Sequence, residues 1–215
     1  MTRWRSMSVG AAMGAGAILS GCTGSGHPSA AGGNGSATTG AGQATTSTTL
    51  TPAERAGSRL RALMIKPEVG YQEDATVGAT GSITPEAFSS VGGGGSAASA
   101  GFVAGYRDNY VNNSTNEALT ITIVQFKSAS DASSYLHRTV GQTLKGSAPT
   151  RQPFAPIPGA TEIKATKAYS GEWEYGVVMA HGVYYASVVY VNLIQMASLP
   201  LQFNQWATVQ YVNLK

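Results

Sequence analysis

The sequence predicts an α+β domain, an antiparallel sheet with helices packed on it, preceded by a signal peptide and a disordered linker. Three observations carry this expectation. From Glu172 to Val191 two β-rich runs flank His181-Gly182, where a two-residue hairpin turn belongs. From Leu119 to Phe126 the apolar Leu119, Ile121 and Ile123 fall on one face with Thr120 and Thr122 opposite, the period two of a strand. The segments run helix, strands, helix, three strands, helix, and strands that follow one another through short turns pair antiparallel.

The chain opens on a leader. Arg3 and Arg5 form a positive start, and Val9 to Leu19 is an apolar run. That run is shorter than the roughly 20 residues a permanent span needs. Directly behind it stands Leu19-Ser20-Gly21-Cys22. This tetrad resembles the lipobox of bacterial lipoproteins. The resemblance implies a diacylglyceryl group on the Cys22 thiol, cleavage just before it with loss of residues 1–21, and anchoring on the extracytoplasmic face of a membrane. Two or three acyl chains hold a protein durably where one does not. Cys22 is the only cysteine, so an intramolecular disulfide and a cysteine-based metal site are both excluded.

Residues 22–49 form the acylated cysteine and its linker. From Thr23 to Thr49 no residue is charged, and Gly, Ser, Ala and Thr dominate around single Pro28, Asn34, Gln43 and His27. Such a stretch buries too little to offset its ordering entropy, so a flexible leash of about 30 Å root-mean-square span is expected. Thr45 to Thr49 are hydroxyl residues open to O-linked sugar.

The single α+β domain is expected over residues 50–215, with 50–100 less regular and 101–215 densest. Thr51-Pro52-Ala53-Glu54 is a helix start: a capping hydroxyl, Pro at the first position, an acid in the first turn. Leu60, Leu63 and Met64 continue at helical spacing until Pro67. The stretch from Gly70 to Ala100 reads as irregular, with Gly92-Gly93-Gly94-Gly95 a surface loop. That run lacks the Lys-Ser/Thr of a phosphate loop.

Phe102 to Val111 then reads as a strand and Asn112 to Asn116 as a polar turn. Ser130-Asp131 opens a helix with Ala132, Leu136, Val140 and Leu144 as its apolar stripe. Pro149 to Pro158 is an extended loop, and Ala160 to Tyr169 a third strand. A turn at His181-Gly182 pairs Trp173 with Tyr190, Tyr175 with Val188, Val177 with Ala186 and Met179 with Tyr184. Both faces of this hairpin are apolar, which places it inside the sheet. The last helix is capped by Ser198, holds Pro200 in its first turn, and turns Phe203, Trp206 and Ala207 inward.

The stretches Gly101-Phe102-Val103-Ala104-Gly105-Tyr106 and Phe126-Lys127-Ser128-Ala129-Ser130-Asp131-Ala132, with the order of elements, resemble small actinobacterial lipoproteins, some of which carry PsbP-like sandwich domains. The resemblance covers about half the chain and brings no catalytic residues with it.

Charge narrows the function classes. Without Arg3 and Arg5 the 14 basic residues fall to 12 against 11 acidic ones. No Lys/Arg run remains, so a nucleic-acid partner is not expected. No His pair at helical spacing and no acidic cluster suggests a metal site or cofactor. His27 lies in the leash, His137 on a helix surface beside Arg138, and His181 in a turn with positive φ. Glu172 and Glu174 share one side of a strand, with Trp173 opposite, and read as a solvated strand end or a sugar-binding surface. No Gly-x-Ser-x-Gly elbow stands in the dense region.

What remains is an aromatic set, with Trp173, Tyr175, Tyr184, Tyr190 and Trp206 as its candidate ligand face. Tyrosines have polar tips, so burying several of them requires partners. The expectation is a membrane-tethered, non-catalytic binding module for an envelope protein, glycan or lipid. A carrier with an internal cavity and an envelope hydrolase are the alternatives.

Overall fold

A computed structural model describes residues 51–215, apart from 69, 75, 77, 79, 92–95 and 141–148. The leader, Leu19-Ser20-Gly21-Cys22 and the linker therefore lie outside the described residues, as do Gly92 to Gly95 and Leu144. The fold is α+β, with four helices and an eight-stranded antiparallel sheet among the described residues.

Helix α1 spans Pro52–Arg61. Its capping box is complete: Thr51 Oγ1 accepts from the Glu54 N–H at 3.2 Å, and Glu54 Oε2 accepts from the Thr51 N–H at 2.7 Å. The helix ends before Leu63, yet Met64 and Ile65 continue into the core. The chain past its end is held by Gln210, fully buried, which accepts from the Ile65 N–H and donates to the Leu63 carbonyl, both at 3.1 Å.

The stretch from Gly70 to Ala100, expected to be irregular, contains strands β1 (Gln72–Glu73) and β2 (Gly81–Ile83) and helix α2 (Pro85–Val91). Thr84-Pro85-Glu86 repeats the start signature of α1, with Thr84 Oγ1 accepting from the Ala87 N–H at 3.2 Å. Elements this short show no period, so only the start signal marks them.

Strands β3 (Phe102–Asn112) and β4 (Glu117–Phe126) form a long hairpin, followed by α3 (Ala129–Thr139). The cap of α3 is Ser128, two residues before the expected start, and its hydroxyl accepts from the Asp131 N–H. The expected loop at Pro149 holds β5 (Thr150–Pro153), an edge strand in which Pro153 removes no central ladder bond. It pairs with β6 (Thr161–Lys164), which stops well short of Tyr169. The chain turns there at Ser170 and Gly171, with φ of +52° and +86°.

Strands β7 (Trp173–His181) and β8 (Tyr184–Asn192) form the expected hairpin in a different register. The turn is Gly182-Val183, so Trp173 faces Asn192, Tyr175 faces Tyr190, Val177 faces Val188, Met179 faces Ala186, and His181 faces Tyr184. The reason is backbone freedom. Gly182 takes φ +54° at the first turn position, which costs glycine little, while His181 stays extended as a strand residue. Because both ends move together, each residue keeps its face. Helix α4 (Leu201–Asn213) has Pro200, not Ser198, at its cap position, with no side-chain cap bond.

The path across the sheet is β1-β3-β4-β8-β7-β6-β5, with β2 also on β3. One face carries Leu119, Ile121, Ile123, Val177, Met179, Ala186 and Val188 under Leu60 of α1 and Phe203, Trp206 and Ala207 of α4. The other carries Phe102, Val124, Phe126, Val178, Tyr185 and Val189 under Phe88 of α2 and Ala132, Tyr135 and Leu136 of α3. Helices on both faces explain why β7 and β8 are largely apolar on both sides and why β4 is buried on both, Thr120 and Thr122 included.

Candidate functional site

All five predicted aromatic residues stand on the α1/α4 side of the sheet. Strand alternation puts Trp173 and Tyr175 on that face of β7 and Tyr184 and Tyr190 on that face of β8. Trp206 comes down from α4. Tyr175, Tyr190 and Trp206 are buried, while Trp173 and Tyr184 are partly buried. The rings interlock: Tyr175 with Tyr190 at 6.4 Å between centroids, Tyr190 with Phe203 at 6.0 Å, and Trp206 edge-on to Tyr71 at 5.3 Å. The face is roofed by α4 rather than open as a groove.

The tyrosine tips find partners that sequence patterning does not reveal. Glu117, the first residue of β4, accepts from Tyr190 Oη at 2.6 Å and from Tyr71 Oη at 2.8 Å. Asn192 Nδ2 donates to the Tyr190 hydroxyl at 3.0 Å and reaches Glu117 at 3.4 Å. Burial, reinforced by the Glu117 carboxylate, pushes the Tyr71 and Tyr190 pKa values far up, so both phenols stay neutral donors. Tyr175 Oη accepts from the Met196 N–H at 2.6 Å, and Lys164 Nζ donates to the Met196 carbonyl at the same distance. No local signal marks Glu117 or Tyr71. They meet only because β1, β4 and β8 end at the same side of the sheet.

The other candidates are dispersed. His137 is exposed on α3, and the His181 ring lies 5.1 Å from Tyr211 of α4. Glu172 is partly buried and precedes β7, whereas Glu174 is 6 % exposed on the α2/α3 face. The pair therefore forms neither a common surface nor a solvated strand end. Among the described residues no three His, Cys, Asp or Glu side chains converge as a metal site. No described helix is long and apolar enough to cross a membrane.

Two apolar surfaces lie open instead. Helix α4 buries Phe203, Trp206, Ala207 and Gln210, yet its opposite side shows Leu201, Val209 and Val212 at 74, 50 and 55 % exposure. Spacings of eight and three put these residues on one stripe. The connection leading into the helix adds Leu193 and Ile194, the latter 70 % exposed. From Gly182 to Leu214 the chain has no charged residue. The second surface is a groove of about 570 Å³ between the end of α3 and the β5–β6 hairpin. Val140, Pro153, Ile157, Pro158 and Ala160 line it, with Arg151 at its polar side. It holds none of His137, His181, Glu172 or Glu174.

No family model matches the chain, and no curated protein does. Among solved structures, the extracellular domain of PknH from Mycobacterium tuberculosis is similar at a TM-score of 0.47 and 13 % identity, over 73 % of this chain and 95 % of that one.

Proposed function

We propose that the chain is an extracytoplasmic lipoprotein, held at a membrane by lipid on Cys22, whose folded domain is a non-catalytic binding module for an envelope protein. The leader supports the tether: Arg3 and Arg5, a short apolar run, and Leu19-Ser20-Gly21-Cys22 in their proper order. The observation that carries the module is α4. A surface helix normally turns polar residues outward. This one shows Leu201, Val209 and Val212 on the side away from the sheet and has no charged residue along its length. An uncharged apolar stripe suits an apolar partner surface.

The test is a photocrosslinking amino acid at Val209 of the full lipoprotein in its own envelope, with His137 on the opposite layer as control. A discrete protein adduct from position 209 and none from 137 is expected. Equal or absent adducts at both positions overturn the docking surface. For the tether, Cys22→Ala is expected to leave an unlipidated, uncut precursor, and normal acylated protein from that variant overturns it.

A second reading rests on the groove beside Arg151, whose apolar lining and size suit a small apolar ligand. Native and denatured masses of protein from its own host test it. Mass lost on denaturation, abolished by Ala160→Trp, supports a carrier, and a bare native mass refutes it.

A further inference from the structure

We infer that the α2/α3 face of the sheet carries a binding site for a small hydroxylated oxyanion, a sugar acid or sugar phosphate, built on Arg107, Asn109 and Thr120. The site is separate from α4 and stands whether or not that helix docks a partner.

Strand pairing sets the geometry. Asn109 faces Thr120, Arg107 faces Thr122, and Thr122 faces Ser187 on the next strand. Directly opposite residues hold their Cβ atoms about 5 Å apart. Same-face neighbours along a strand lie about 7 Å apart. Five polar side chains therefore occupy one continuous patch, about as large as a single sugar ring, on a sheet face whose other buried side chains are apolar apart from Glu174 of β7.

The patch is incomplete as it stands. Asn109 and Thr120 are 2 % and 1 % exposed, and Asn109 Oδ1, Thr120 Oγ1 and Arg107 Nε are all buried without a hydrogen-bond partner. Elsewhere the fold satisfies its buried polar groups with care, as Gln210, Tyr175 and Tyr190 show. The two remaining orphans among the described residues, on Asp108 and Asn204, stand apart from this patch, and Asp108 bonds through its other oxygen. Three orphans at adjacent positions mark a place where a ligand completes the network.

The residue types define that ligand. Among the described residues no carboxylate forms an ion pair with Arg107; the acids beside a described arginine, Glu73 and Asp108, both belong to Arg61. Burial lowers the Arg107 pKa, as expected of a cation without a counter-charge. A guanidinium is a planar fork suited to a carboxylate or a phosphate. Asn109 Oδ1 and Thr120 Oγ1 are free acceptors, which ligand hydroxyls would supply with donors, and the Thr122 and Ser187 hydroxyls serve either way. The chemistry sought is an oxyanion with hydroxyl groups beside it.

The experiment uses the full ¹⁵N-labelled chain titrated with glucuronate, glucose 6-phosphate and glucose, reading the Arg107 Nε–Hε resonance and the melting temperature. At least one of the two anions is expected to shift that resonance saturably and raise the melting temperature, while neutral glucose does neither. Response to glucuronate alone assigns a carboxylate, and response to glucose 6-phosphate alone a phosphate. Arg107→Met should weaken binding at least tenfold, yet melt no lower than the unliganded parent, because it removes a buried unpaired charge. If Arg107→Met does not fold, Thr120→Val, which keeps the shape and deletes one orphan, should still weaken anion binding severalfold. The inference is overturned if neither anion shifts the resonance, if glucose acts equally, or if the variants bind as tightly as the parent.

Discussion

Glu117 holds together strands and loops far apart in sequence, so replacing it should cost stability in a way the structure quantifies. In Glu117→Ala the buried Tyr190 hydroxyl loses its acceptor at 2.6 Å, and its neighbour Asn192 can only donate to it. A buried donor left unsatisfied costs about 1–3 kcal/mol. Tyr71, bonded at 2.8 Å and partly exposed, can turn to water and should lose about 0.5–1 kcal/mol. The expected total is about 1.5–4 kcal/mol, or roughly a 0.7–2 M drop in urea midpoint.

Glu117→Gln keeps an acceptor for Tyr190 and turns an amide toward Tyr71, so about 1 kcal/mol is expected. Urea unfolding followed by tryptophan fluorescence reads both variants, because Trp173 and Trp206 pack on this cluster. Adding Tyr190→Phe to Glu117→Ala should recover part of the loss, since the orphaned hydroxyl disappears with its partner. A loss under about 0.5 kcal/mol for Glu117→Ala, or strict additivity in the double variant, refutes the hub.

Three further outcomes are expected. Phe203→Ala removes a fully buried ring between α4 and Tyr190 and should cost about 3–5 kcal/mol in the same unfolding assay. Gly57→Ala should destabilise although alanine favours helix, because the new Cβ would stand 2.8 Å from Ser82 Cβ and 3.0 Å from the Gly105 carbonyl; Ser82→Gly should relieve it, and a stabilised single variant refutes the close approach. Asp108 has its pKa raised by burial, so the native state holds that proton more tightly than the unfolded chain. Its contribution must then fall as pH rises above the unfolded value near ~4, levelling beyond the folded value. Stability measured against Asp108→Asn should show the parent losing ground over that window, and a parent gaining ground refutes the sign.

Patterns of local origin were legible in the chain. The α1 start at Thr51-Pro52 and the alternation of β4 appear in the structure where spacing and capping chemistry placed them. The hairpin of β7 and β8 was legible as a pair of strands but not in its register, because His181-Gly182 and Gly182-Val183 both offer a glycine to the turn. One residue of slip at each end preserves the face of every side chain, so hydrophobic patterning cannot distinguish the two. The candidate aromatic face was legible as a set, yet its roof was not. Whether a row of rings is a groove or a core depends on what lies over it, and here Phe203 and Trp206 of α4 do.

The sequence by itself determined the elements with a local signature: the α+β class, the capped start of α1, the alternation of β4 and the pairing of β7 with β8 as a hairpin. Capping, turn and alternation energies act within a few residues, so a few residues suffice to read them. Only the tertiary structure decided that Glu117 joins Tyr71 and Tyr190, that Gln210 closes the end of α1, and that Arg107, Asn109 and Thr120 share a patch without partners. Those relations join residues that lie far apart along the chain or on neighbouring strands. Their cost or benefit exists only once the sheet has paired and water has left, and no local stretch of sequence contains either condition.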